Sequence, residues 1–446
     1  MRTYFLSLGC PKNTVDAEAS LGLLQRSGCT ITDDPMEADL LIVNACSFID
    51  TAWRETVDEV ERLARIKEHS PRKKLVLMGC LPLHRGGGWR ESLRCVDHFL
   101  PAGGPSLLPS LVESFREGRD PGEWSAVDGL DRFAGIERRV RLTPKHIGYV
   151  KIAEGCSRRC TFCAIPKIRG AMVSRTRDSI VREVESLRAN GVREVSLLAQ
   201  DVASYSDGRR RLADLVGAIA GTGVDWIRVL YLHPSSLSID LVKRMFEHPS
   251  VCRYLEVPIQ HASDRVLERM GRHYTRKHLE RVLGGIRSEF PDVVVRSEVM
   301  VGFPGEEERD FDELKAFVES AQFASLGVFV YSHEEGTAAY SLDGGAADGA
   351  GPDRASEIAD IQRSVTFGLL SEQKGKRHRI LVDRMTEGGT DGHGDCAYAG
   401  RFYGQAYEID GEVYLKARDL TVGEFADARI TDADVFDLEG ELASAA

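Results

Sequence analysis

The sequence contains no long hydrophobic run and no excess of positive charge. No stretch of 18 apolar residues occurs, so no segment has the length of a membrane-spanning helix. The start, MRTYFLSLGC, lacks a cationic stretch and a long apolar stretch, and we therefore expect no signal peptide. The formal net charge of −11 argues against a chain built to coat nucleic acid or an anionic membrane. These absences predict a cytoplasmic protein that does not bind a membrane.

Length and cysteine content set further bounds. A chain of 446 residues predicts two or three domains, and a hydrophobic content of 42% is ordinary for a protein that buries a core. The chain has ten cysteines. In a cytoplasmic protein such a number indicates metal or redox chemistry more often than a disulfide framework.

Three cysteines form a CxxxCxxC pattern just after an apolar run: Cys156, Cys160 and Cys163. Iron–sulfur clusters are usually held by four cysteines, and no fourth cysteine follows nearby. A cubane cluster held here would therefore keep one iron open to a small molecule. The alternatives are a zinc site and a pair of disulfides. A structural zinc site requires four ligands, usually in CxxC pairs, and none is complete here. The pattern favours an iron–sulfur cluster.

A second set of cysteines follows three apolar runs near the start of the chain: Cys10, Cys46 and Cys80. Helical patterns at 16–27 and 51–67 separate these runs. Strands that alternate with helices predict a parallel sheet, which binds ligands at the carboxyl ends of its strands. The three cysteines would meet there and share a second cluster. Each alone could instead be a small buried residue, which is our interpretation of Cys29, Cys95, Cys252 and Cys396.

The middle of the chain continues with strand and helix patterns. Helices are predicted at 178–190 and 210–222, and strands at 149–152, 194–198, 226–231, 254–258, 293–299 and 327–331. Six strands with intervening helices predict a partial (β/α) barrel with its chemistry at the strands' carboxyl ends. These ends carry the polar residues Gln200, Asp201, His233, Gln260, His261 and Glu298.

The remaining segments are less informative. The turn at 302–305, before a predicted helix at 308–320, contains Gly302 and Gly305, which would let backbone approach a ligand or would simply form the turn. A Gly/Ala-rich stretch at 343–352 predicts a loop, and a helix is expected at 354–377. Short strands at 379–382, 412–415 and 426–430, with turns at 388–389 and 410–411, predict a small β-barrel.

These features together resemble the methylthiotransferase family of radical S-adenosylmethionine (SAM) enzymes over nearly the whole chain. The supporting strings are SLGCPKN at 7–13, KIAEGC at 151–156 and VPIQHASD at 257–264. Within the family, the chain is most similar to the branch that modifies an aspartate of a ribosomal protein. The RNA-modifying branch typically has Gly-Cys-Gln-Met-Asn where this chain has Gly-Cys-Pro-Lys-Asn.

The resemblance implies a domain order and a set of cofactor ligands. It implies an α/β chain with a cluster domain at 1–118, a linker at 119–140, a radical SAM barrel at 141–372 and a TRAM domain at 373–442. Cys156, Cys160 and Cys163 match the ligands of the radical-generating 4Fe-4S cluster. Cys10, Cys46 and Cys80 match those of an auxiliary 4Fe-4S cluster. Further matches to cofactor contacts are Phe162, which lies against the adenine, and Gln200, Glu298, Gly302 and Gly305.

The chemistry that the resemblance implies requires both clusters. The radical cluster reduces and cleaves SAM, and the resulting radical takes hydrogen from the β-carbon of an aspartate. Sulfur held on the auxiliary cluster and methylated by a second SAM is then added to that carbon. The cofactors perform the difficult steps, and the protein orients them. An electron donor such as flavodoxin or ferredoxin is implied. The sequence indicates no sulfur donor and no catalytic residue besides the cluster ligands.

Charge helps to choose between substrates. From residue 376 to the end, 8 Lys and Arg stand against 15 Asp and Glu. RNA binding draws much of its affinity from basic side chains on phosphates, whereas an acidic module attracts a basic protein. The acidity could also serve only solubility. We therefore expect an aspartate of the twelfth small-subunit ribosomal protein as substrate. The rival functions are a tRNA methylthiotransferase, a two-cluster electron carrier and a zinc-stapled binding protein.

Overall fold

The computed structural model describes residues 1–46, 50–80, 88–122, 129–343, 349–386 and 397–443. The chain divides into two compact units. The first comprises Met1–Leu142, Lys151–Arg175 and Ser332–Ser341, and the second comprises Thr143–Val150, Thr176–Tyr331 and Leu342–Ala446. Among the described helices, none is long and apolar enough to cross a membrane. The domain boundaries given above remain a proposal.

The first unit is built on a parallel sheet, as predicted. Its five strands lie in the spatial order Thr30–Ile31, Arg2–Ser7, Leu40–Ala45, Lys74–Gly79 and His98–Leu100, and every neighbouring pair is parallel. The two predicted helices are present, with slightly different ends. The helices of this unit are Pro11–Arg26, Asp50–Glu68, Trp89–Ser92, Leu108–Arg116 and Ile165–Ile168, with 3₁₀ turns at Gly104–Leu107, Ile136–Arg138 and Ala338–Ser341.

The central strand Leu40–Ala45 is buried on both faces of this sheet. Leu41 and Val43 pack in one apolar cluster, which includes residues of the helix Asp50–Glu68. Leu40 and Ile42 point the other way and pack in a second cluster, which includes residues of the helix Pro11–Arg26. A strand covered by helices on both sides has a continuous apolar sequence rather than an alternating one. The run LLIVNA therefore forms this strand.

The second unit contains the predicted six-stranded sheet. In spatial order its strands are Ser325–Val330, Val294–Val301, Val251–Gln260, Trp226–Val229, Glu194–Leu198 and Ile147–Lys151, and the pairs from Glu194–Leu198 to Ser325–Val330 are parallel. The sheet is open, so the prediction of a partial barrel is confirmed. Its helices are Arg177–Ala189, Leu212–Ala220, Ile239–Phe246, Asp264–Arg269, Arg276–Glu289, Glu308–Ala321 and Gly351–Ser371.

The predicted small β-barrel is also present in the second unit. Its closed order is Arg377–Met385, Tyr398–Arg401, Val413–Lys416, Leu438–Leu442 and Phe425–Ala433. The strands Tyr398–Arg401 and Leu438–Leu442 were not predicted, because each is short and carries polar or glycine residues that weaken the strand pattern. The predicted turn at 410–411 lies between Tyr398–Arg401 and Val413–Lys416.

The helix predicted at 354–377 was misplaced at both ends. It begins at Gly351, with a proline in its first turn, and ends at Ser371. Gly375 has a φ of +81°, which a helix cannot contain, and the first barrel strand begins at Arg377. The loop predicted at 343–352 therefore ends before Gly351. Residues 344–348, the turn at 388–389 and Cys396 lie outside the described residues.

A buried set of ionisable side chains joins the small barrel to the six-stranded sheet within the second unit. Arg228 Nε donates to Glu194 Oε1 at 2.6 Å. Arg401 Nη1 lies 2.8 Å from Glu194 Oε2, and its Nε donates to Asp383 Oδ2 at 2.7 Å. Asp383 Oδ1 lies 2.9 Å from His146 Nε2. Because all of these groups are almost fully buried, removing one partner leaves an uncompensated charge.

We predict that Arg401→Met destabilises the second unit strongly. The substitution leaves the carboxylates of Glu194 and Asp383 with too few partners, at a cost of roughly 3–5 kcal/mol in the free energy of unfolding. Chemical denaturation monitored by circular dichroism measures this loss. Arg193→Met is the matched control, since its pair with Glu424 is largely exposed and contributes less than about 1 kcal/mol. Equal losses in the two variants would contradict the argument.

Candidate functional site

The structure places three cysteines at one edge of the first unit's sheet. Cys10 precedes the helix Pro11–Arg26. Cys46 follows the strand Leu40–Ala45, and Cys80 follows Lys74–Gly79. These strands are neighbours in the sheet. Gly9 has a φ of +93°, and a Cβ there would lie 2.7 Å from the Cβ of Cys46. Only glycine therefore lets these two strand ends approach so closely.

Asn13 connects the three strand ends that carry these cysteines. Its Nδ2 donates to the carbonyl oxygen of Leu8 at 3.0 Å and to that of Ala45 at 2.9 Å. Its Oδ1 lies 3.7 Å from the Sγ of Cys80. The side chain is fully buried. The sequence analysis quoted Asn13 only as part of a string, although an Asn three residues after a strand-end cysteine was a usable signal.

The thiols of this edge differ in acidity. Burial alone would raise the pKa of Cys10, but the charges of Lys12 and Arg169 and the backbone N–H groups of Asn13 and Lys12 outweigh it, so the pKa of Cys10 is lowered. Burial raises the pKa of Cys80 in spite of the neighbouring Arg169. The surroundings of Cys10 therefore favour its thiolate, which is the form of cysteine that binds metal.

The CxxxCxxC segment forms a loop closed by a short antiparallel pair, in which Ala153 pairs with Ser174 and Glu154 with Val173. At its base the N–H of Cys156 donates to the carbonyl of Gly170 at 3.1 Å. Within it the N–H of Cys163 donates to the carbonyl of Cys160 at 3.1 Å. The loop therefore turns back on itself and gathers its three cysteines in one short segment.

Exposure within this loop is graded. Cys156 is buried, whereas Cys160, Phe162 and Cys163 are half-buried. The segment 332–341 supports the loop, because the N–H of Ala339 donates to the carbonyl of Thr161 at 2.8 Å. Cys160, Phe162 and Cys163 are therefore partly accessible at the surface of the loop. The contact of Phe162 with a cofactor remains a prediction.

Four charged side chains are buried between the loop base and the cysteine edge of the sheet, all in the first unit. Lys151 Nζ donates to Glu154 Oε2 at 2.6 Å and contacts Asp16. Arg169 Nη1 donates to Glu154 Oε1 at 2.7 Å and to Asp16 Oδ2 at 3.1 Å. The sequence analysis missed this network, because its members are separated by up to 153 residues and no pattern connects them.

In the second unit, Gln200 follows the strand Glu194–Leu198 and is half-buried. Among the described residues, neither its Nε2 nor its Oε1 has a hydrogen-bond partner. Buried amide groups nearly always have partners. The amide of Gln200 is therefore suited to hydrogen-bond a polar ligand.

The other predicted cofactor contacts in the second unit have partners in the protein. Glu298, in the strand Val294–Val301, accepts from Arg296 Nη1 at 3.1 Å. Gly302 and Gly305 have φ values of +72° and +78°, and a Cβ at Gly305 would lie 2.9 Å from the guanidinium of Arg269. The turn itself accounts for these glycines. Their contact with a cofactor remains a prediction, as does that of Glu298.

Two residues that the sequence analysis did not single out for strain have positive φ at strand ends of the second unit. Tyr231 has a φ of 59° and Gln260 a φ of 65°. Strained non-glycine backbone concentrates at functional sites. Both residues follow or end neighbouring strands, Trp226–Val229 and Val251–Gln260. These two strained positions lie at the carboxyl edge of this sheet, where the sequence analysis expects its chemistry.

The donor set fits iron–sulfur clusters better than a single metal ion. Six of the cysteines lie in two groups of three, and thiolates are the usual ligands of such clusters. In the described part of the chain, no three His, Cys, Asp or Glu side chains converge closely enough to hold one ion. A cubane cluster spreads its ligands over separate iron atoms and so tolerates wider spacing. The residues present therefore fit clusters in both places.

We predict that Gly155→Ala opens the cysteine loop. A Cβ at this position, where φ is +77°, would lie 2.6 Å from the carbonyl oxygen of Gly170, and the strained conformation adds about 1–3 kcal/mol. Iron bound through Cys156 should be lost while the other iron stays, as measured by iron and sulfide analysis. Gly191→Ala is the control, since φ is +89° there but no atom lies within 4 Å. Equal iron loss in both variants would refute the prediction.

Comparison with known proteins matches three segments of the chain to family models. Residues 2–100 match the uncharacterized protein family UPF0004. Residues 150–318 match the radical SAM superfamily, and residues 375–443 match the TRAM domain. These three matches follow the order that the sequence resemblance implied.

Among solved structures, the chain is similar to the radical SAM methyltransferase TsrM from Kitasatospora setae bound to tryptophan and a SAM analogue. The TM-score is 0.55 with 16% identity, over 76% of this chain and 75% of that one. A structure of the cobalamin-dependent SAM radical enzyme OxsB gives a TM-score of 0.53 with 9% identity, over 82% of this chain and 56% of that one. At such identities the likeness concerns the fold alone.

Whole-chain relatives decide the family. The ribosomal protein uS12 methylthiotransferase RimO of Sorangium cellulosum is 39% identical over 99% of this chain and 91% of its own length. The proteins of the same name from Desulfosudis oleivorans and Geobacter sulfurreducens are 38% and 39% identical, with at least 98% of each chain covered. The chain belongs to the RimO family of ribosomal protein uS12 methylthiotransferases, within the radical SAM superfamily.

Proposed function

We propose that the chain adds a methylthio group to the β-carbon of an aspartate in ribosomal protein uS12. The observation that carries this proposal is the pair of three-cysteine groups within one compact unit, in a chain that aligns almost end to end with RimO proteins. Sulfur insertion at an unactivated carbon requires a hydrogen to be removed that no ordinary base can take. Removal of this hydrogen and supply of the sulfur are two separate tasks, and a single cluster would serve only one of them.

The cofactors are two 4Fe-4S clusters and SAM. We assign Cys156, Cys160 and Cys163 to the radical-generating cluster. Cys10, Cys46 and Cys80 are assigned to the auxiliary cluster. When bound, these groups supply the hydrogen abstraction and the sulfur. The chain's own contribution is to hold the thiolates, to limit water through burial of Cys80 and Cys156 and to orient the cofactor.

We further propose contacts from Phe162, Gln200, Glu298, Gly302 and Gly305 to SAM. Gln200 is the best supported of these, because its amide atoms have no partner among the described residues. Since an amide side chain offers both donors and an acceptor, it suits the polar edge of an adenine or ribose.

The C-terminal barrel supports a protein substrate rather than tRNA. Four of its basic side chains pair with carboxylates: Arg379, Arg384, Arg401 and Lys416. Each such pair offsets a positive charge that RNA phosphates would need. A basic ribosomal protein would be attracted by the net negative charge instead.

A ribosomal substrate places the reaction in the cytoplasm, where an electron donor such as flavodoxin or ferredoxin would reduce the radical cluster.

The substrate assignment predicts the outcome of a direct competition. Anaerobically reconstituted enzyme with SAM, sulfide and a strong reductant is given either uS12 or tRNA that carries a modified adenosine. Mass spectrometry of both products should show methylthio addition to an aspartate of uS12 and none to the tRNA. Reactions without SAM are the control. Addition to the tRNA alone would refute the choice of substrate.

The ligand assignment predicts two different losses. Cys156→Ala, Cys160→Ala and Cys163→Ala should each abolish SAM cleavage and remove about half of the iron, since one of two equal clusters is lost. Cys10→Ala, Cys46→Ala and Cys80→Ala should remove a similar share of iron yet retain SAM cleavage and lose only sulfur insertion. Cys95→Ala is the control and should change neither. Retained sulfur insertion in any variant of the second set would refute the auxiliary cluster.

A further inference from the structure

Arg169 contacts both a cysteine of the sheet edge and the base of the CxxxCxxC loop. Its Nε donates to the Sγ of Cys80 at 3.2 Å. Its Nη1 donates to Glu154 Oε1 at 2.7 Å, two residues before Cys156. Its Nη2 donates to Asn13 Oδ1 at 2.6 Å. The side chain is 2% exposed, so water does not replace these contacts.

Without a thiolate at Cys80, the positive and negative charges around Arg169 are equal in number. Two cations, Lys151 and Arg169, face two carboxylates, Asp16 and Glu154. The guanidinium of Arg169 donates to a carboxylate oxygen of each acid, and a thiolate at Cys80 would add a fifth charge that faces the same guanidinium.

A planar guanidinium serves this position in a way that an ammonium cannot. Its Nε and its two Nη atoms point in fixed, divergent directions. Here these three directions reach a sulfur, a carboxylate and an amide. A lysine would keep the charge, but as a point donor on a flexible stem it could not hold all three.

We propose that Arg169 is a positioning residue for the auxiliary cluster, which holds the Cys80 thiolate by a hydrogen bond and raises the cluster's reduction potential. This inference rests on the cofactor assignment of the proposed function and goes beyond it. A hydrogen bond and a positive charge at a ligating sulfur stabilise the more negative, reduced cluster. The same guanidinium connects the cysteine edge of the sheet, at Cys80, to the base of the CxxxCxxC loop, at Glu154.

A merely structural role would give a different result. If Arg169 served only to neutralise Asp16 and Glu154, a variant that preserved the charge balance would leave the cluster's potential unchanged. Arg169→Met combined with Glu154→Gln removes one charge of each sign and leaves Lys151 with Asp16. Arg169→Lys keeps the cation and loses the fork. The potential therefore separates the two roles, while folding and iron content report the structural one.

The experiment measures the midpoint potential of the auxiliary cluster alone. The parent is the full chain with Cys156, Cys160 and Cys163 each changed to Ala, reconstituted anaerobically and titrated by electron paramagnetic resonance. Arg169→Lys and the double variant are compared in this background. Arg132→Lys is the matched control, because Arg132 Nη1 donates to the carbonyls of Arg169 at 3.1 Å and Ala171 at 2.7 Å. It supports the same loop through these backbone carbonyls.

We expect the potential to fall in Arg169→Lys, to fall further in the double variant and to stay unchanged in Arg132→Lys, at equal iron content. If the double variant loses its iron, Arg169→Lys decides, and its potential must lie below that of the parent. Unchanged potentials in the Arg169 variants, or an equal fall in Arg132→Lys, would overturn the inference and leave the proposed function intact. If the parent variant held no cluster at all, both this inference and the auxiliary-cluster assignment of the proposed function would be overturned.

Discussion

Strands that run parallel all end at the same edge of their sheet, and this constraint shapes the five-stranded sheet of the first unit and the six-stranded sheet of the second. In the first unit it brings Cys10, Cys46 and Cys80 to one edge although they are far apart in sequence. In the second unit it collects the polar and strained strand ends, including Gln200 and Tyr231. Because each return to the starting edge requires a crossover, helices cover the faces and the edges remain open for chemistry.

Buried charge is the second organising feature, and it occurs in both units. Arg169 and Lys151 meet two carboxylates in the first unit, and Arg228 and Arg401 meet Glu194 and Asp383 in the second. Such networks contribute little net stability compared with apolar packing, but leaving one member unpaired is costly. In the first unit the network also contacts a cysteine sulfur. The free energy spent on burying these charges therefore positions a site as well as stabilising the fold.

The sequence was sufficient to predict most of the order in which strands and helices follow one another along the chain. Apolar runs such as LLIVNA predicted strands buried on both faces, and six such runs predicted the open sheet of the second unit. Element ends were less predictable: the helix Gly351–Ser371 ends where Gly375 and the first barrel strand require it, and no helical periodicity encodes that requirement. The short barrel strand Tyr398–Arg401 was missed because its residues gain strand character only from the neighbours that pair with them.

By itself the sequence determined the chemistry available, since thiol type and spacing within one loop are local properties: Cys156, Cys160 and Cys163 are separated by a few residues, and their pattern is complete before folding. The tertiary structure alone decided which distant groups share that chemistry. Asn13 reaches three strand ends, and Arg169 reaches Cys80 across 89 residues. The physical reason is that a buried hydrogen bond depends on position in space and on the exclusion of water, and neither leaves a mark on the spacing of residues along the chain.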